Sequence, residues 1–304
     1  MISSQFSLTF ACAVVIAASA VAQDAQSRPR ITGISHLSVY TSDAAKTETY
    51  YVHDLGATKG ADPQNSAGVR FYFSPVQFVE VLPLPANAPA NSRFDHAGYN
   101  TADAERMRLY LAARHLEVPP AVTQSSDGSK YFEVKDPEGN RVQFVQPPAH
   151  PPAIPTNPLS SHIIHIGYII HNPTLEDTFY KNLLGFRPYW HGGMKDEVVD
   201  WISSRVPDGH DWVEYMVKGP EAVSLGTAGV LDHFALGMVN AEQAMNMLYN
   251  GDRLNNKHSD PKIGRDGKWQ INMYDPDGTR AELMEFQAVA KPCCSAFSPD
   301  NPTR

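Results

Sequence analysis

The chain has 304 residues, 42% hydrophobic and 19% charged, with a formal net charge of -8. This balance describes a soluble globular protein of about two domains. It excludes the basic stripe that nucleic-acid binding requires, so no nucleic-acid partner is expected, and the charge mainly favours solubility.

The first stretch is an apolar run, Phe6 to Ala22, ending in Ala20-Val21-Ala22. Small residues at that spacing predict a signal peptide over residues 1–22, cleaved before Gln23, and an exported protein, periplasmic or secreted. The leading Met-Ile-Ser-Ser-Gln lacks the usual positive charge. The run is short for a membrane span and no other follows, so no stable membrane insertion is expected after cleavage.

Module one covers the next segment. Ile34–Tyr40 reads as a strand carrying His36, and Ser42 or Asp43 caps a helix that runs to about Leu55 and ends at Gly56. Strands follow at Val69–Phe73 and Val76–Leu82, the second carrying Glu80. Module two opens with the strand Phe94–Tyr99 and its His96. Asp103 caps a helix with Met107, Leu109, Tyr110 and Leu111 at helical period. Lys130–Val134 is a strand, and the turn Asp136-Pro-Glu-Gly139 leads to Arg141–Val145 with Gln143. Residues 147 to 158 hold six prolines and read as an extended linker.

Module three opens with Ile163–Tyr168, carrying His165. Asn172-Pro173 or Thr174 starts a helix ending at Leu184-Gly185, and Trp212–Val217, with Glu214, closes the module. Module four opens at Leu231–Leu236 with His233. Asn240 and Gln243 resemble a capping box for a helix to Tyr249 ended by Asn250-Gly251. Trp269–Met273 follows, then the turn Asp275-Pro-Asp-Gly278 and the strand Arg280–Phe286 with Glu282. In the polar tail, 289–304, Cys293 and Cys294 are neighbours. Adjacent cysteines rarely bridge because their Cα atoms lie too close, so they are expected to be free or to cross-link chains, and Cys12 leaves with the leader. A homo-oligomer is left open.

Spacing makes the repeat quantitative. His36 precedes Tyr51 by 15 and Gly56 by 20, and His165 precedes Tyr180 by 15 and Gly185 by 20. Asp127-Gly128 precedes Asp136-Pro137 by 9, as Asp266-Gly267 precedes Asp275-Pro276. His96 to Gln143 is 47, and His233 to Glu282 is 49. Modules one and three correspond, as do two and four. The expected fold is α+β: two tandem domains, residues 30–146 and 159–288, each a cupped mixed sheet from paired βαβββ modules.

Equal strand register means equal facing. The four histidines and the closing residues Glu80, Gln143, Glu214 and Glu282 therefore converge if paired modules wrap into a cup. Two histidines and a carboxylate on one face suit a divalent metal (Zn, Ni, Mn or Fe) and leave positions open for a substrate. Against this stands the plainer reading of four packed histidines descended from one structural ancestor. The C-terminal half is the better candidate, because Gln143 offers only a neutral amide where Glu282 offers a carboxylate.

The H-x-[G/S/A] strands, the Phe179-Tyr180…Leu184-Gly185-Phe186 helix end and the DPDGTRAEL turn and strand resemble the vicinal oxygen chelate superfamily. That group includes glyoxalase I, bleomycin-resistance proteins and extradiol dioxygenases. The resemblance covers nearly all of residues 31–288. Extradiol enzymes imply a metal on His165, His233 and Glu282, but the position ten before Glu282, a catalytic tyrosine in that family, is Asn272. That family's second-sphere histidine, near the end of module three, has no sure match; His210 is close but misplaced. Glyoxalase I implies the set His165, Glu214, His233 and Glu282, with Glu214 as fourth ligand or proton-moving base. The expected function is therefore a metal-dependent enzyme on a small substrate with vicinal oxygens, by glyoxalase-like lyase or isomerase chemistry. Ring-cleaving dioxygenation and non-catalytic ligand binding are the alternatives. Trp190, His191, Trp201, His210, Trp212, Tyr274 and methionines 216, 238, 273 and 284 are candidate lining residues. Whether His36, Glu80, His96 and Gln143 also hold a metal is open at this stage.

Overall fold

The computed structural model describes residues 27–298. The expected signal peptide and its cleavage point lie outside the described residues. Among the described residues, sixteen strands form two sheets. The first contains β1 (Ile31–Thr41), β2 (Thr58–Ala61), β3 (Val69–Ser74), β4 (Gln77–Pro83), β5 (Phe94–Thr101), β6 (Thr123–Gln124), β7 (Lys130–Lys135) and β8 (Arg141–Gln146). The second contains β9 (Ile163–Ile170), β10 (Arg187–Gly192), β11 (Trp201–Arg205), β12 (Trp212–Val217), β13 (His233–Met238), β14 (Lys262–Ile263), β15 (Trp269–Tyr274) and β16 (Arg280–Glu285).

The first sheet has the order β2-β3-β4-β1-β5-β8-β7-β6. Adding eight to each number gives the order of the second, β10-β11-β12-β9-β13-β16-β15-β14. The repeat read from the spacings is thus a repeat of topology. Each half is two βαβββ modules joined by an antiparallel pair of opening strands, β1 with β5 and β9 with β13.

Helices begin where side-chain acceptors sit. Asp43, Asp103, Asn172 and Asn240 each accept the backbone N–H three residues on, which satisfies a helix-start donor that has no partner within the helix. In the odd modules the helix widens into a π-helical stretch, Thr49–Asp54 and Thr178–Leu183. Gly56 and Gly185 follow at φ +74° and +79°, where an L side chain would be strained.

The apolar faces of both sheets and their helices share one core. Tyr51 stacks on Phe71 and Phe234, and Tyr99 meets Tyr180 and Phe186 edge-on, so aromatic contacts cross between the halves. Burying a side chain such as Phe234 contributes about 2–3 kcal/mol. The repeated turns add a reciprocal clasp. Asp277 accepts Ser42 N at 2.8 Å and Arg93 Nε at 3.1 Å. Glu138, at the same place in the other half, accepts His171 N at 2.9 Å and Asn172 N. Each turn therefore binds the strand-to-helix junction of the opposite half. Its glycine, Gly139 or Gly278, has open space around it but φ of +91° or +97°, so conformation alone demands glycine.

Several features depart from the reading of the sequence. Leu231 closes a short helix, Leu225–Leu231, and the strand starts at His233. Strands β2, β10 and β11 lie where no alternation was read. Gly251 has φ -89°, and the left-handed residue is Asp252. Cys293 and Cys294 are bonded to each other rather than free. Nor is the tail merely polar, since Phe297 packs on Tyr189. Residue Asn157, in the proline-rich segment, is buried and donates to Leu55 O at 2.7 Å.

Candidate metal centre

The H-x-[G/S/A] pattern has a geometric cause. Across the antiparallel opening strands, His233 lies opposite Gly167 and Ala235 opposite His165. In the first sheet, His36 lies opposite Gly98 and Ser38 opposite His96. The small residue two positions after each histidine is the floor for the ring from the facing strand. A Cβ on Gly167 would stand 2.2 Å from the His233 ring, and one on Gly98 equally close to His36.

In the second sheet this register brings His165, His233 and Glu282 within 4.8 Å of one another, with Glu214 beside the two imidazoles. His165 Nε2 is 3.0 Å from His233 Nε2 and 3.3 Å from Glu282 Oε2. His233 Nε2 is 3.8 Å from the same Glu282 oxygen. Glu214 Oε2 is 4.0 Å from His165 Nε2 and 3.7 Å from His233 Nε2. A tetrahedral ion with bonds near 2.1 Å separates its donors by roughly 3.4 Å, which lies within this range. Both imidazoles are fully buried.

The surroundings prepare the donors. His233 Nδ1 is 2.7 Å from Leu231 O, so that nitrogen donates its N–H and Nε2 keeps its lone pair facing the cluster. Burial, then Arg280 and His165, hold the His233 pKa well below the usual imidazole value, which keeps it neutral. His165 packs against the Trp212 ring at 4.7 Å. For Glu282, burial favours the neutral acid but the neighbouring Arg280 guanidinium acts against it and holds the carboxyl below the usual carboxylate range. Burial raises the Glu214 pKa, as does Glu282, and Ser203 Oγ donates to Glu214 Oε1 at 3.1 Å. Two neutral imidazoles and two carboxylates are the donor types and charge a divalent ion takes, so the residues fit such a group.

Above the donors opens a cavity of about 420 Å³, with Glu214 and Glu282 in its wall beside Trp190, Trp201, Met216 and Met284. Of the other candidates, Met238 and Met273 belong to the core, His191 and His210 are exposed, and Tyr274 lines a different cavity. Asn272 lines the cavity. Residues the sequence did not single out also shape the site. Arg280 lines the same cavity. Lys268 is fully buried, its Nζ 4.8 Å from the Trp212 ring and donating to Tyr189 Oη at 3.3 Å. Burial pushes its pKa down to about 8. The periodicity of strands carries no mark of a lysine turned inward.

The N-terminal cup repeats the frame. His36 Nε2 is 2.8 Å from His96 Nε2, and Glu80 Oε2 lies 3.8 Å from His96 Nε2. His36 stacks on Phe78, the counterpart of Trp212. Across from Glu80, however, stands Arg70, where Ser203 faces Glu214 in the second sheet. Its guanidinium lies over the Phe78 ring and pairs with Asp62 at 3.1 Å. Gln143 and Gln64 bond to each other at 3.0 and 3.2 Å.

Residues 33–144 match the family model of the Glyoxalase/Bleomycin resistance protein/Dioxygenase superfamily. No curated protein matches the chain. Among solved structures, a catechol 2,3-dioxygenase is similar with a TM-score of 0.63 at 15% identity, over 90% of this chain and 96% of that one. An extradiol ring-cleaving dioxygenase from B. fuscum has a TM-score of 0.62 at 16% identity, over 91% and 76%. A 2,3-dioxygenase from Pseudomonas sp. KL28 has a TM-score of 0.61 at 15% identity, over 88% and 99%. At such identity the likeness is one of fold.

Proposed function

We propose a function from the premise that this chain belongs to the glyoxalase, bleomycin-resistance and dioxygenase superfamily. The protein is a divalent-metal-dependent enzyme that isomerises or cleaves a small substrate with neighbouring oxygens. His165, His233 and Glu282 hold the ion, with Glu214 as fourth donor and proton carrier. When bound, the ion supplies Lewis acidity to the two substrate oxygens.

The observation that carries this reading is the position of Glu214. One of its oxygens faces both imidazoles at 3.7 and 4.0 Å, while the side chain borders the cavity. A carboxyl so placed, with its pKa raised by burial, can take a proton from one substrate carbon and return it to the next. Ser203 holds its other oxygen, which fixes the direction of transfer. His233, tied to Leu231 O, and His165, packed on Trp212, keep the donor geometry rigid.

Extradiol ring cleavage is the second reading, favoured by the near full-length fold likeness to dioxygenases. Asn272, which faces Glu282 where those enzymes place a tyrosine, speaks against it. The test compares the wild type with Glu214→Gln after loading with manganese, nickel, zinc or ferrous iron. Isomerisation of a hemithioacetal or α-hydroxyketone panel and oxygen uptake with catechol are both followed. The proposed chemistry predicts that Glu214→Gln retains metal but loses turnover by about 100-fold or more. Oxygen uptake with catechol that survives this substitution would overturn it in favour of the dioxygenase.

A further inference from the structure

The charge of the substrate is written in a difference between the halves, and reading it rests on the metal centre proposed above. Arg141 and Arg280 occupy one position of the repeat, each across a parallel strand pair from the even-module histidine, His96 or His233. Arg141 is saturated. Its Nη1 donates to both Asp95 oxygens at 2.7 and 2.8 Å. Its Nε and Nη2 donate to Glu133 at 2.7 to 3.1 Å.

The counterparts of those two acids are Asp232, before the histidine, and Asn272, across from Glu282. Asp232 accepts Ser92 Oγ at 3.0 Å and Ile169 N at 3.1 Å instead. Asn272 is uncharged and accepts one Arg280 Nη1 bond at 3.4 Å. Arg280 Nε is buried without a hydrogen-bond partner. Among the described residues, Arg280 has an ion contact with Glu282 Oε1 at 3.6 Å, on a carboxylate the ion would claim.

The balance of charge points the same way. Two carboxylates and two neutral imidazoles cancel a dication, which leaves the guanidinium uncompensated beside the open coordination space. Of the other charged groups in the cavity wall, Arg265 is paired with Asp196 and Asp200 accepts Met194 N. Lys218 and Lys262 add positive charge, and burial pushes the Asp266 pKa up to about 7.

We propose that Arg280 binds an anionic oxygen of the substrate, which is a small organic acid carrying its carboxylate next to the vicinal oxygens. Trp190, Trp201, Met216 and Met284 supply an apolar wall for its ring or short chain. Arginine suits this role because its planar fork meets a carboxylate with two parallel bonds.

The test uses two probes that differ by one carboxylate, catechol and 3,4-dihydroxybenzoate. Calorimetry measures their binding to the manganese-loaded full chain, as wild type, Arg280→Gln, Arg280→Lys and Arg141→Gln. The wild type and Arg141→Gln are expected to bind the acid at least about ten-fold tighter than catechol. Arg280→Gln is expected to lose that preference, the ratio of the two affinities falling to near one, and Arg280→Lys to keep part of it. Equal affinities in the wild type, a preference that survives Arg280→Gln, or no binding of the acid at millimolar concentration would each overturn the assignment. Elemental analysis of the same samples separates the two ideas. Protein that takes up no metal overturns the metal centre and this inference with it, whereas one equivalent of metal without a charge preference overturns the role of Arg280 alone.

Discussion

In the N-terminal cup His36, Glu80 and His96 also lie within 4.8 Å of one another, but polar groups of the protein pair beside them: Arg70 with Asp62, and Gln64 with Gln143. In the C-terminal cup, Ser203 stands in place of Arg70 and Glu282 in place of Gln143, and a cavity opens beside Glu214 and Glu282. The strand order and the histidine register are the same in both. The lesson is that the scaffold brings the imidazoles together in either half, while the side chains facing them decide whether the cup becomes a closed polar core or an open site. A buried guanidinium beside His36 opposes a cation there, and a serine beside Glu214 does not.

This contrast can be attacked by converting one cup into the other. Arg70→Ser combined with Gln143→Glu removes the buried cation and restores the missing carboxylate. The double variant is expected to bind a second equivalent of divalent metal, with an affinity about 100-fold or more above that of the unaltered N-terminal cup, measured by competitive chelator titration. If it binds no more metal than the wild type, the difference between the halves lies elsewhere.

A smaller effect concerns Glu80. Burial, followed by the Asp62 carboxylate, raises its pKa from 4.5 to about 7, against the pull of His96. An acid whose folded pKa is raised contributes stability below its unfolded pKa and loses it as pH rises through the folded value. Glu80→Gln should therefore flatten the fall in stability between about pH 4.5 and 7 by about 3 kcal/mol, read from urea denaturation at stepped pH. An unchanged pH profile would show that Glu80 is ionised throughout.

Smaller again is the contrast between the two arginines. Arg141→Gln breaks bonds to Asp95, which is buried, and to Glu133, and should cost about 2 kcal/mol, discounted for the half-exposed guanidinium. Arg280→Gln should cost less than Arg141→Gln, since it gives up one long bond to Asn272 and one contact with Glu282 at 3.6 Å. Equal losses in the two variants would remove the asymmetry on which the substrate charge was inferred.

The sequence exposed the repeat because turns and helix caps leave local marks: Asp-Pro-x-Gly, Asn172-Pro173 and Asp103 act within a few residues of themselves. The convergence of His165, His233 and Glu282 was also readable, since period-two facing carries a register across a sheet. The reason for Gly167 and Gly98 was not, because it depends on which residue lies across an antiparallel pair. Arg280, Arg70 and Lys268 were missed for a similar cause. Their roles come from partners present or absent in space, and an arginine beside a turn looks alike in both halves. Strands β10 and β11 escaped notice because the glycines and charges around Gly192 and Asp200 interrupt alternation. The Cys293–Cys294 bond was misjudged because the general disfavour of adjacent pairs says nothing about a tail held by Tyr189, His191 and Arg265.

The central claim is that one divalent ion belongs to the C-terminal cup and none to the N-terminal one. Elemental analysis of the purified protein, after dialysis against a stated divalent metal, tests it with the wild type, Glu282→Gln and His96→Gln, folding being checked by circular dichroism. The account predicts one equivalent in the wild type, near zero in Glu282→Gln and one in His96→Gln. Full occupancy in Glu282→Gln, or an equivalent that disappears with His96→Gln, would contradict it.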